Sequence, residues 1–157
     1  MASIVRNLIE YSGIADYLPE DSSTFKQINV EESLCIPKQK PDIEQIVKVI
    51  CDVEIKNTRV IRTPKAISLE GQILTGWKLI IEGELNQKVE YVADVPEQSV
   101  HVAHFSVPFS SFIVLPETFK IGVPVIVNAY IEDIFIQQLN KRCMFKNVTI
   151  LLNAEIC

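Results

Sequence analysis

Only five of the 157 residues are glycine and only two are histidine. No glycine-rich phosphate loop, GxSxG elbow or HExxH helix occurs, which removes the nucleotide-binding and hydrolytic chemistries built on them. No apolar run approaches the ~20 residues of a membrane-crossing helix. The first ten residues interrupt their apolar positions with Arg6 and Glu10, so they lack the core of a secretory signal. We therefore expect cytosolic synthesis without Sec export and no membrane insertion, and read the Asn147-Val148-Thr149 sequon as chance. A basic excess is also missing. The net charge is −5 and the pI near 5.1, which argues against a partner recognised through phosphates, so no nucleic acid is expected.

Metal and catalytic clusters are scarce as well. The four cysteines (Cys35, Cys51, Cys143, Cys157) contain no CxxC pair, so neither a zinc site nor any cofactor is expected. His101 and His104, three apart in a predicted strand, point to opposite faces. Glu82 and Glu84 share a face, as paired carboxylates would, but Lys78 and Lys88 flank them, and a solvated sheet surface accounts for all four. No catalytic residue is assigned, and the expectation is a protein that is not an enzyme.

What the chain does contain is β-branched residue. Isoleucine and valine supply 39 of the 157 residues against seven alanines, a bias toward pleated, half-buried surfaces. Val47, Val49, Cys51, Val53 and Ile55 share one parity, which a strand places on one face and a helix would scatter around its circumference. Similar alternation recurs at Trp77–Leu85, Val89–Ala93 and Val125–Ile131. In the last strand Met144, Val148, Ile150, Leu152, Ala154 and Ile156 share a parity. The reading gives about eight strands in an all-β, antiparallel sandwich or barrel-like domain. Pro108 divides Val100–Phe105 from Phe112–Leu115, Asn86-Gln87 is a bulge or turn, and Pro41–Ile46 is one short helical turn.

Residues 1–24 differ from the rest, with a net charge of −3, an apolar strip (Ile4, Val5, Leu8, Ile9) and a polar stretch after Pro19. We read them as an N-terminal arm on a linker, and residues 25–157 as the single β domain. An apolar strand on a tether suits addition to a neighbour's open sheet edge. Cys157, the last residue given, is expected to be exposed and to form intermolecular disulfides, with Cys35 and Cys143 as candidate mates and Cys51 enclosed.

Several ordered blocks carry a family resemblance. Leu34-Cys35-Ile36-Pro37 and Lys40-Pro41-Asp42-Ile43-Glu44-Gln45-Ile46 are followed by Leu69-Glu70-Gly71, Leu79-Ile80-Ile81-Glu82-Gly83 and Tyr91-Val92-Ala93. Val107-Pro108-Phe109, Ile113-Val114-Leu115-Pro116 and Tyr130-Ile131-Glu132-Asp133 complete the set. Over residues 25–157 the chain resembles the SPOCS domain of SipL-type spore-coat morphogenesis proteins of spore-forming Firmicutes. The resemblance implies a β-rich module in protein–protein assembly of spore layers, made in the mother cell and ending in the coat or at the spore surface. With the apolar arm and no LysM-like segment in this sequence, the expected role is a self-associating structural protein, a homo-oligomer or filament, with other coat proteins as further partners. The alternative is a monomeric module that binds a coat protein or a cell-wall glycan.

Overall fold

The computed structural model describes residues 2–20, 22–69 and 71–157; Asp21 of the expected linker and Glu70 of the Leu69-Glu70-Gly71 block lie outside them. The fold is all-β, as the alternation predicts. Ten strands follow in order: β1 (Ala2–Arg6), β2 (Ile9–Ile14), β3 (Phe25–Cys35), β4 (Ile43–Arg62), β5 (Ala66–Ile67), β6 (Ile73–Leu74), β7 (Trp77–Ala93), β8 (Val100–Val114), β9 (Val125–Gln138) and β10 (Cys143–Ile156). Eight form one sheet in the order β3-β10-β9-β2-β4-β7-β8, with β1 attached to β2, while β5 and β6 make a small separate hairpin. The sheet curls into a nearly closed barrel whose terminal strands, β3 and β8, approach each other.

Two expectations about the fold are corrected. The sheet is mixed: β2 runs parallel to β4, with Glu10, Tyr11 and Ser12 opposite Lys48, Val49 and Ile50, and makes one parallel bridge from Ile14 to Ile131 of β9. Residues 41–46 form no helical turn, since β4 starts at Ile43 and buries Ile43 and Ile46. Asp42 and Glu44 at the start of such a helix would gain less than burying Ile43 and Ile46 does, at about 1.5–3 kcal/mol each.

Two predicted interruptions are continuous strand. Gln87 keeps the inward parity of Leu85 and Val89, so β7 runs through it without a bulge. Pro108 lies within β8 because β8 is an edge. The bonds from Leu115 N to Trp77 O and from Ala93 N to Ser99 O put the odd residues of β8 on the β7 side. The alternation of the ladder then turns the Pro108 nitrogen outward, where no hydrogen bond is lost.

The core is the barrel interior. Val49, Ile81, Val89, Tyr91, Ile134, Val148 and Ile150 are fully enclosed there. The Tyr91 hydroxyl stays paired by donating to Pro41 O at 2.9 Å. Trp77 is half-buried against the core, edge-on to Phe119 at 5.4 Å with the Arg62 guanidinium over its ring.

Candidate functional site

The N-terminal segment divides into a buried strand and an exposed one. β1 and β2 form an antiparallel hairpin, and β2 is seated between β4 and β9 of its own chain. Ile9, Tyr11 and Ile14 are buried, whereas Ile4, Val5 and Leu8 lie on the surface, Val5 at 69% and Leu8 at 81% exposure. The turn between the strands places Asn7 and Leu8 at positive φ. Arg6 fastens β1 to β9: it donates to Asp133 Oδ1 at 2.9 Å and to Ile134 O, and its guanidinium stands over the Tyr11 ring. Of the four strip residues, therefore, Ile9 belongs to the chain's own core and the other three remain presented.

The segment expected as a linker is stitched down as well. Ser22 donates to the Asn153 side chain, Thr24 is buried, and Thr24 O accepts from Ala154 N. Residues of β2, with Ser22 and Thr24, are thus bonded to β4, β9 and β10 of the same chain.

The cysteines pair differently from the sequence reading. Cys35 of β3 lies directly opposite Cys143 of β10, and the two form an intramolecular disulfide with Cα atoms 4.0 Å apart. Neither is then free as a mate for Cys157, which is exposed, while Cys51 is buried. The sequence could not pair Cys35 with Cys143 because the pairing depends on β3 joining β10 across 108 residues. Arg142, beside the disulfide, closes the same corner by donating to Pro37 O, Lys40 O and Asp42 Oδ1.

One interior layer is polar. Lys146 of β10 sits opposite Glu32 of β3 and Ile136 of β9, and Cys51 of β4 opposite Gln87 of β7, which faces Phe105 of β8. Gln87 Nε2 donates to Glu32 Oε1 at 2.8 Å and links the two halves. Lys146 is 1% exposed, its Nζ is 5.5 Å from the Phe105 ring centre, and neither Nζ nor Gln87 Oε1 has a hydrogen-bond partner among the described residues. Burial lowers the Lys146 amine to about 8, with Cys51 and Glu32 pulling the other way, and burial pushes the Cys51 thiol up to about 11. Lys146 was missed in the sequence although it shares the parity of Met144 and Val148. A lysine on an apolar parity was the signal.

This layer makes a pH prediction. Between about pH 8 and 10.5 the unfolded chain keeps the Lys146 proton that the folded chain releases, so stability rises with pH as the buried charge disappears. Cys51 opposes this between about pH 9 and 11, where the folded chain retains a proton that the unfolded chain loses. The urea midpoint should climb from about pH 7 to pH 9 and then level. Lys146→Met should raise stability at neutral pH by about 1–4 kcal/mol and flatten the climb. A midpoint that falls from neutral pH to pH 9 in the unmodified protein would contradict this account.

The remaining polar candidates occupy the surface. His101 stacks on Tyr91 and contacts Ser99, while His104 is exposed on the other face. Glu84 lies 3.7 Å from Lys56 on the outer face, where Lys56 also pairs with Glu54 at 3.1 Å. No group of three His, Cys, Asp or Glu among the described residues is arranged to hold a metal ion.

Residues 42–139 match the SipL, SPOCS domain family, well over half of the chain. The chain belongs to the SPOCS domain family. That match makes it a sporulation-related protein. The matched stretch of the SPOCS domain runs from the start of β4 to the end of β9, so the N-terminal hairpin, β3 and β10 complete the barrel from outside it. No curated protein and no solved structure matches the chain.

Proposed function

We propose that this SPOCS-domain protein is a structural, self-associating component of a spore layer, joined to its neighbours by β-strand addition through the N-terminal segment. The observation that carries the reading is the presentation of β1. It pairs with β2 on one side, and Ile4, Val5 and Leu8 stay uncovered while the hairpin is seated. Tyr17 and Leu18, which follow the other end of β2, are also exposed, at 78% and 37%. A strand so presented can pair with an edge of a second copy, and if the contact is heterologous it propagates into rings or filaments. The function is mechanical and non-catalytic, and its place is the coat or spore surface.

The expected result for the Val5→Asp, Leu8→Asp double variant is a folded protein with unchanged circular dichroism that no longer forms large assemblies in sizing and negative-stain microscopy. Both substituted side chains are solvent-exposed, so the fold loses little. Assemblies that form as before would remove the N-terminal segment from the reading.

A specific observation favours a second reading, docking of a protein partner. The β5–β6 hairpin, at 66–74 in the connection from β4 to β7, carries Ile67, Leu69, Ile73 and Leu74, all exposed. Polar substitution of Ile67 and Leu69 separates the two readings: partner capture is lost and self-association persists.

A further inference from the structure

The barrel has two free edges, β3 and β8, and they are not equivalent. No backbone bond joins them; they meet through side chains, with Lys26 over the Phe112 ring of β8 at 3.8 Å, while Glu32 of β3 accepts a hydrogen bond from Gln87 of β7, one strand further in. β8 carries Pro108 in mid-edge with its nitrogen outward, which blocks an incoming strand at its centre. β3 is eleven residues long and contains no proline.

The direction of its free groups follows from its ends. Thr24 O accepts from Ala154 N and Ile36 N donates to Arg142 O, so the even residues of β3 bond to β10. The N–H and C=O groups of Gln27, Asn29, Glu31 and Ser33 therefore point away from the sheet.

We propose that this edge pairs antiparallel with the same edge of a second copy, about a two-fold axis through Asn29. Charge complementarity sets the register. With Asn29 opposite its own equivalent, Lys26 faces the partner's Glu32, Gln27 faces the partner's Glu31, and Ile28 faces the partner's Val30. From Lys26 to Glu32 each residue then has a counterpart of matching chemistry, and the odd residues, whose backbone groups are free, are the ones that exchange hydrogen bonds. A shift of the axis to Ile28 sets Lys26 against Val30 and leaves Glu32 facing Thr24. A shift to Val30 sets Lys26 against Leu34 and Glu32 against Ile28. Odd registers pair inward-facing with outward-facing side chains. Among the described residues neither Lys26 nor Glu32 has an ion-pair partner within its own chain.

The inference rests on the self-association reading but uses a different surface. The contact is isologous, so by itself it ends at a dimer; joined to the N-terminal contact it would cross-link filaments.

The test uses full-length protein carrying Val5→Asp and Leu8→Asp, which removes growth through the N-terminal segment. Sedimentation velocity over a dilution series should show a reversible dimer. Lys26→Glu alone, or Glu32→Lys alone, places two like-charge pairs in the dimer and should weaken it at least ~30-fold. An equimolar mixture of the two variants restores both opposite-charge pairs and should dimerise again. Asn29→Pro removes one outward N–H without touching the β10 ladder, and should abolish the dimer while circular dichroism is unchanged; it stands in if a charge variant fails to fold. In the protein without substitutions, a zero-length carbodiimide reagent should join Lys26 to Glu32 between ¹⁴N- and ¹⁵N-labelled copies. A monomer at every concentration, a dimer indifferent to Lys26→Glu, or a mixture that stays monomeric would overturn the edge contact. Loss of assembly in Val5→Asp, Leu8→Asp with this dimer intact, or the reverse, shows which surface failed.

Discussion

Replacing Gly13 by alanine should produce the largest loss of stability of any single-methyl addition in this protein. Gly13 has φ +112, a region that side chains strongly disfavour, and an added Cβ would lie 2.1 Å from the carbonyl oxygen of Cys51. The obstruction is backbone of the strand to which β2 bonds, so it cannot move aside without breaking the β2–β4 contact. Backbone strain and a steric conflict of this kind together cost more than about 3 kcal/mol. Chemical denaturation of Gly13→Ala should show that loss, with hydrogen exchange accelerated first in β2 and around Val49–Cys51. A control is available in Gly71, which also has positive φ but no atom within 4 Å of an added Cβ. Gly71→Ala should cost far less, and equal losses at the two sites would refute the packing explanation.

The second large effect is removal of the disulfide. Cys35 and Cys143 close a loop of 108 residues; disulfides typically stabilise by about 2–4 kcal/mol, and more for loops as long as this one, chiefly by restricting the unfolded chain. Reduction, or Cys35→Ser with Cys143→Ser, should lower the urea midpoint accordingly, with the β3 ends nearest residue 35 opening first. The fold should survive, because β3 remains bonded to β10 from Phe25 to Cys35. Thiol titration of the folded, oxidised protein should find Cys157 reactive and Cys51 slow. Covalent species on non-reducing gels should then stop at a Cys157–Cys157 dimer, and Cys157→Ser should remove it. A ladder of higher species would show Cys35 and Cys143 pairing between chains after all.

How much of this was legible varies by element. Val47–Ile55 and Val125–Ile131 announce themselves as strands because alternation is a local property with a single structural solution. Gln87 and Lys146 sit on the same inward parities as their neighbours, and a strict parity count would have put both inside. Treating a polar residue as an interruption hid them. Pro108 misled for a different reason: a proline breaks an interior strand but not an edge whose nitrogen faces out, and edges are assigned by sheet order. The N-terminal strip was visible as apolar and its docking as a strand was foreseeable. Its host was not, because β2 meets β4 and β9 through contacts remote in sequence.

By itself the sequence determined the all-β class, the absence of phosphate-loop and clustered-ligand motifs, and the SPOCS resemblance, since each depends on residue type and near-neighbour spacing. Tertiary structure alone decided which strands are edges, that Cys35 meets Cys143, that Ile9 is enclosed while Leu8 is presented, and that Lys146 lies against Cys51 and Glu32. Those facts depend on which distant strands pair and in what register. One pairing choice fixes the direction of every side chain and every free backbone group along a strand, and no local pattern encodes that choice.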